Sequence, residues 1–209
     1  MNYFITGTDT GIGKTHVTAA LARAIPGSGA FKPIACGPGG RHDAKTYRRL
    51  MNDRVPLDVI NPIYLRRPLA PLIAARLERR HIDLRAIHTA YAQLSSLYAP
   101  LFVEGAGGLL VPIKRNYFVA DLVRELQLPV IIVARLSLGT INHTLLTVRQ
   151  AEAAGLKVAG IILNDTLGRR GLAERTNIKI MPELSGVPLL GVVPHGRRPD
   201  VRSIVKKLF

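Results

Sequence analysis

Cysteine occurs once, at Cys36, so neither an intrachain disulfide nor a cysteine-based zinc site can be built, in keeping with a reducing compartment. No apolar run approaches the ~18 residues of a membrane span, and the start, Met1-Asn2-Tyr3-Phe4, has no basic region followed by an apolar signal segment. A cytoplasmic protein without membrane contact is expected. Internal repeats and low-complexity linkers are also missing, which in 209 residues with an apolar fraction of 47% points to a single domain over 1–209. Acidic residues are scarce, 14 against 29 lysines and arginines, giving a formal charge of +15. Such an excess ordinarily points to nucleic acid or anionic membrane. Here residues 41–85 carry eleven basic against five acidic side chains and residues 160–209 nine against four, so the excess is spread along the chain. No arginine-rich or aromatic-interleaved tract stands out, which favours a general basic bias, or attraction of polyanionic small molecules, over a dedicated nucleic-acid surface.

What is present begins at Gly7. Residues Gly7 to Thr15 read Gly-Thr-Asp-Thr-Gly-Ile-Gly-Lys-Thr, between the apolar Tyr3-Phe4-Ile5 and a helix-like run from His16 to Ile25. This is the strand, loop and helix context of a phosphate-binding loop. Glycines let backbone N–H groups turn inward, the helix presents its positive end, Lys14 reaches the terminal phosphates and Thr15 can hold Mg2+. Thr8 stands where the consensus has its first glycine, although Gly7 lies one residue earlier.

Short apolar runs recur with helix-like segments between them, the pattern of a mostly parallel sheet flanked by helices on both faces. Predicted strands are Asn2–Ile5, Ala30–Ile34, Leu101–Val103, Val130–Ala134, Val158–Leu163 and Leu189–Val193; predicted helices are Val17–Ile25, Val119–Leu126, Ile141–Ala154 and Val201–Leu208. Ile141, Leu145 and Val148 share one helical face, Gly155 suits that helix's end, and Thr140 is placed to cap its start. In such α/β sheets ligands collect at the carboxyl ends of the strands. Those ends carry the phosphate loop, Lys32 to Gly37, Glu104-Gly105-Ala106-Gly107-Gly108, Ser137 to Asn142, Asn164-Asp165 and Pro194-His195-Gly196.

Mg2+ on nucleotide phosphates takes hard oxygen ligands and one or two carboxylates, for which Glu104 and Asp43 are the candidates. Glu104 closes an apolar strand, where a carboxylate is costly unless a cation or hydrogen bonds meet it; a purely structural carboxylate is the alternative. Asp43 follows Gly37-Pro38-Gly39-Gly40 and opens a helix, where it could equally be a cap. Lys32 in an apolar strand calls for an anion, unless it snorkels from a sheet edge. Cys36 lacks any neighbouring catalytic signature and reads as a small buried or turn residue more than a nucleophile. The six histidines show no ligand spacing. Asn164 and Asp165 could read a purine edge or form a turn of their own.

Together, Gly7 to Thr15, Lys32-Pro33-Ile34-Ala35-Cys36-Gly37, Val103 to Gly108, Leu138 to His143 and Asn164-Asp165 resemble the dethiobiotin synthetase family, from residue 2 to about residue 196. That family also carries threonine at the first-glycine position. The resemblance implies a phosphate-loop ATPase fold and an ATP- and Mg2+-dependent ring closure, in which 7,8-diaminononanoate and CO2 give dethiobiotin with release of ADP and phosphate. By motif, it implies Thr15, Asp43 and Glu104 as metal ligands, and Gly11, Ile12, Gly13, Lys14, Thr15 and His16 as the phosphate cradle. Gly105, Ala106 and Gly107 approach the nucleotide after Glu104. Lys32 lies near carbamate and γ-phosphate, acting with Lys14. Thr10 and Cys36 face the diamine. Asn164, with Asp165 beside it, holds adenine, bordered by Pro194, His195 and Gly196. Gly139, Thr140, Ile141 and Asn142 open a helix that receives the substrate carboxylate across a homodimer interface.

The sequence departs from that pattern at Cys36, commonly serine, and at Gly11, frequently acidic, and the basic segment after Gly196 has no assignable contacts. A partitioning or regulatory ATPase binding DNA or membrane shares the loop but usually has a lysine where Asp9 stands. A glutamine-dependent synthetase would bring a further domain.

Overall fold

The computed structural model describes residues 1–39, 41–168, 171–196 and 199–209; Gly40, part of the glycine-rich stretch before Asp43, lies outside them. The first apolar run forms β1 (Tyr3–Gly7), buried at every residue, and after the phosphate loop α1 (Lys14–Ala24) starts at the loop's own lysine. The strand expected over Ala30–Ile34 is two strands, β2 (Gly29–Phe31) and β3 (Ile34–Cys36). Pro33 has no N–H to give a ladder, and the Lys32 N–H bonds instead to the Ile60 carbonyl at 2.9 Å, so the chain leaves the sheet here. There follow α2 (His42–Leu50), α3 (Leu57–Ile60), β4 (Ile63–Leu65), α4 (Pro71–Leu77) and α5 (Leu84–Leu97). β4 pairs with β3 in a small parallel ladder of its own.

The chain returns as β5 (Leu101–Glu104), makes the hairpin β6 (Pro112–Lys114) and β7 (Tyr117–Phe118), and continues as α6 (Val119–Glu125) and β8 (Val130–Arg135). It then forms α7 (Thr140–Ala153), β9 (Val158–Asn164), α8 (Leu172–Ser185), β10 (Leu189–Val193) and α9 (Arg202–Leu208). The main sheet is parallel throughout, in the order β10-β9-β8-β1-β5-β2. Its central strands bury successive residues, so both faces are covered: α1 packs on β1, β2 and β5, and α7 on β8 and β9. Phe4, Ile5, Phe102, Val103 and Ile131 to Ala134 are fully buried, each large side chain contributing about 1.5–3 kcal/mol of transfer free energy.

Register sets the functional rim. Ile5 lies opposite Glu104, Gly7 opposite Val133, and both Arg135 and Val193 opposite Asn164, so the residues after five neighbouring strands emerge on one edge. β1 sits between β5 and β8, where strand order reverses and a crevice opens. The cap expected at Thr140 and the cap left open as an alternative at Asp43 are both absent. Gly139, at φ 89°, occupies the cap position of α7, while Thr140 is buried one residue inside with its hydroxyl 3.5 Å from that of Thr144. Asp43 likewise does not cap α2, since Arg41 holds that position and Asp43 sits within the first turn. Gly155 does follow α7 in the left-handed conformation, as expected.

Candidate active site

The phosphate loop bends through two left-handed glycines, Gly11 (φ 71°) and Gly13 (φ 90°), and delivers the uncapped start of α1 to the crevice. The free N–H groups of that first turn form an anion site. A Cβ at Gly13 would lie 2.2 Å from Asn164 Nδ2, an atom that donates to the Ile12 carbonyl at 2.8 Å. Asn164 thus fastens the end of β9 to the loop. On the other side, a Cβ at Gly108 would stand 2.9 Å from the Gly7 carbonyl oxygen, so only glycine lets the loop after β5 cross the end of β1. Lys14 is buried and its Nζ donates to the Asp9 carbonyl at 2.9 Å. Burial lowers its pKa to about 8, Lys32 adds to the fall, and Glu104 opposes it.

Beside the loop lies a buried cluster of opposite charges. Glu104 is 1% exposed and its Oε1 accepts from Lys32 Nζ at 2.7 Å and from Thr15 Oγ1 at 3.0 Å, while its Oε2 accepts from the Tyr47 hydroxyl. Lys32 is 5% exposed and reaches Asp43 Oδ2 at 2.9 Å. Burial works against the Lys32 charge, but Glu104 and Asp43 outweigh it and hold its pKa above the ordinary lysine value. Burial would likewise raise the Asp43 pKa, and Lys32 reverses this and keeps the carboxyl below its usual range. A buried ion cluster adds little net stability over apolar packing, whereas losing one member costs about 3–5 kcal/mol. Its oxygens converge on one cation, here an ammonium.

These groups face a cavity of about 580 Å³. Thr10, Gly11, Gly13, Lys14 and Thr15 form one wall, Lys32, Asp43 and Glu104 the floor, and Ile34, Pro68 to Pro71 and Val111 an apolar far wall. Ala106 and Gly107 also line it; Gly105 enters through its carbonyl, 3.5 Å from Lys32 Nζ. Cys36 lines the cavity as well, its thiol pushed up to about 11 by burial, with Glu78 adding to the rise and Lys32 opposing it, so it stays protonated near neutrality and is no nucleophile there.

Residues 1–200 match a family described as an AAA domain. An ATP-dependent dethiobiotin synthetase from Bacillus velezensis is 37% identical, aligned over 99% of this chain and 93% of its own length. Another, from Thermodesulfovibrio yellowstonii, is 41% identical over 92% of this chain and 88% of its own. The chain belongs to the dethiobiotin synthetase family. It is therefore an ATP-dependent ligase, on the parallel six-stranded scaffold described above. The fold is shared more widely: a ParA family ATPase from Chlorobium tepidum superposes with a TM-score of 0.56 over 99% of this chain and 90% of its own, at 14% identity.

The remaining residues expected from the dethiobiotin synthetase resemblance fall in separate places. Gly13, His16, Asn164, Asp165, Thr166, His195 and Gly196 surround a hollow of about 390 Å³ at the far end of the loop, and Pro194 leads into it from β10. One of the Asp165 carboxylate oxygens closes a turn by accepting from the N–H groups of Leu167 and Gly168, at 3.2 and 2.7 Å, as the turn reading required. Ile12 is a core side chain and serves the loop through its carbonyl. Gly139, Thr140, Ile141 and Asn142 do not line the Lys32 cavity of their own chain. Instead α7 borders a third hollow with Thr8, Asp9, Thr10 and Gly108 to Val111. Tyr47 and the Pro68 to Pro71 wall were not foreseen from sequence. Asn61 is another buried support, its amide donating to the carbonyls of Lys32 at 2.8 Å and Ile63 at 2.9 Å. The signal for Tyr47 was its place four residues after Asp43, on the same helical face.

Proposed function

We propose that this chain closes the cyclic urea of dethiobiotin from 7,8-diaminononanoate, CO2 and ATP, in a Mg2+-dependent reaction in the cytoplasm. The observation that carries this reading is the joining of the phosphate loop, the buried Lys32–Glu104–Asp43 cluster and an apolar wall around one cavity. One substrate amine adds to CO2 and releases a proton to give a carbamate, a poor electrophile. Its oxygen attacks the γ-phosphorus, the bond to the β-phosphate oxygen breaks, and ADP leaves. The second amine then attacks the carbonyl carbon of the resulting anhydride, phosphate departs, and the amine loses its proton as the ring closes. Phosphoryl transfer needs positioning and charge neutralisation more than a protein nucleophile. Lys14 and the α1 start grip the phosphates, Lys32 steadies the carbamate and the transferring group, and the apolar wall holds the alkyl chain.

Thr15, Asp43 and Glu104 fit Mg2+: they offer hard oxygens and two carboxylates that already converge on one cation. Bound there, Mg2+ would neutralise charge building between the β- and γ-phosphates. Asn164 and the hollow around His16 and His195 would take the adenine. The homodimer reading rests on the surface beside the site, where Leu138 is 86% exposed, Leu146 61% and Leu110 57%. Burying these leucines against a second copy would bring the partner's α7 start toward the substrate.

The test incubates the purified protein with ATP, Mg2+, bicarbonate and 7,8-diaminononanoate and analyses the products by mass spectrometry. Dethiobiotin formed together with ADP is the expected outcome. Bound ATP without that product at saturating substrate sinks the reading, and DNA-stimulated ATP hydrolysis that salt suppresses would replace it with a partitioning activity.

A further inference from the structure

The mechanism above leaves Tyr47 without a task, although it is fully buried and its hydroxyl ends on a carboxylate at the centre of the site. It stands on α2, one turn beyond Asp43, so both residues leave the helix on the same face. Asp43 reaches Lys32, while Tyr47 reaches past it to the second oxygen of Glu104. A single helix, packed on α1 and β2, therefore holds both carboxylates, one as its own side chain and one by a hydrogen bond. Oε1 of Glu104 is left to face Thr15 and Lys32, and Oε2 is turned away from them and capped.

That division has a coordination consequence. A carboxylate with one oxygen committed to a buried donor can give only the other to a cation, and Mg2+ favours such single-oxygen ligation within a strict octahedron, whereas Ca2+ readily takes both. Groups that orient a metal ligand in this way are worth ~10–100-fold in affinity or activity.

Resting on the reading of Glu104 as a metal ligand, we infer that Tyr47 is a positioning residue for the divalent cation: its hydroxyl fixes the Glu104 carboxylate in the single-oxygen orientation that the Mg2+–nucleotide complex needs. In sequence Tyr47 is marked only by its spacing of four from Asp43; its meeting with Glu104, 57 residues away, is made by the fold.

The experiment measures Mn2+ binding by the loss of the free-ion paramagnetic resonance signal, with a non-hydrolysable ATP analogue present, for the wild type, Tyr47→Phe, Glu104→Gln and the double variant. Mg2+ and Ca2+ are then titrated as competitors, and thermal melting of the same samples reports folding. Tyr47→Phe is expected to weaken Mn2+ binding by about tenfold and to shift the Mg2+ to Ca2+ preference toward Ca2+, with metal-free nucleotide affinity unchanged. In the Glu104→Gln background the same change should cost nothing more. If Glu104→Gln weakens binding but Tyr47→Phe matches the wild type, the positioning role is overturned while the metal-ligand reading stands. If Glu104→Gln has no effect, the metal-ligand reading fails and the inference falls with it. Should Tyr47→Phe fail to fold, the double variant, which carries no orphaned charge, is compared with Glu104→Gln alone, and a further loss of affinity overturns the inference.

Discussion

The two ends of the phosphate loop are built on different principles. At the Lys32 end, buried Lys32 and Glu104 and half-buried Asp43 are matched to one another, so that every oxygen of Glu104 already has a donor. At the Asn164 end the polar groups are one amide, the Asp165 carboxylate of an Asx turn and two imidazoles around an open hollow, and the amide and carboxylate bond to backbone and not to a charged partner. On the proposed reading, the first arrangement is preorganised for a reaction in which charge moves, and the second takes the base by shape. Changes at the Lys32 end should therefore act chiefly on turnover and metal binding, and changes at the Asn164 end on nucleotide affinity.

Lys14→Ala is the most damaging change expected, because on the proposed reading it removes the donor that grips the transferring phosphates. A loss of about 10³-fold in single-turnover phosphate release is predicted, at the upper end of what one such donor contributes. Lys32→Met should lower turnover by about 10²-fold and destabilise the metal-free protein by about 3 kcal/mol, since the buried Glu104 and the half-buried Asp43 lose their cation. The same variant should bind Mn2+ without nucleotide about tenfold more tightly than the wild type, a gain of about 1.4 kcal/mol. Melting with and without Mg2+ checks both effects, and equal stabilisation of the two proteins would show that the ammonium does not compete for the metal position.

Alkaline pH separates the two ends without mutation. Lys14 is charged below about 8 and neutral above it, so ATP affinity should fall by up to tenfold per pH unit above that value. The folded pKa lies below the unfolded one, so the penalty of burying the charge is full below about 8 and fades toward the unfolded value. Stability should thus gain with pH over the range in which ATP binding weakens. Nucleotide titrations from pH 7 upward test this, and Lys14→Arg, which does not titrate there, should flatten the curve. Asn164→Ala should raise KM for ATP about five- to tenfold with kcat nearly kept, from the loss of one buried hydrogen bond to the loop. Smallest of all, Cys36→Ser should lower KM for the diamine about two- to threefold by supplying a better hydrogen-bonding group.

How much of this was legible in the sequence depended on whether a segment is decided locally. The strands that carry the rim are buried on both faces, so Val130 to Ala134 and Leu101 to Val103 read as continuous apolar runs. The phosphate loop is a local backbone device and was readable for the same reason. Residues 41–100 answer to tertiary contacts instead. There α5 buries only Ile87, Ala90 and Leu94, a stripe diluted by alanine and polar residues; outside that stretch α8 is similar, burying Asn177 and Met181 alone. β4 has three residues and pairs only because β3 has left the main sheet. Glu104 and Lys32 were recognisable as charges in apolar strands, but their mutual distance, and the part Asp43 and Tyr47 play between them, depended on where α2 comes to lie.

The parting of the chain at Lys32-Pro33 divides the molecule into what is fixed and what is exchangeable. β2 and β5 are adjacent and parallel, so everything from Ile34 to Pro100 departs from one strand and is handed back beside it. The excursion carries most of the apolar wall and, through Asp43 and Tyr47, returns two side chains to the Lys32–Glu104 pair. A graft that kept those two anchors and rebuilt the rest could change which amine is accepted while leaving the phosphate machinery untouched.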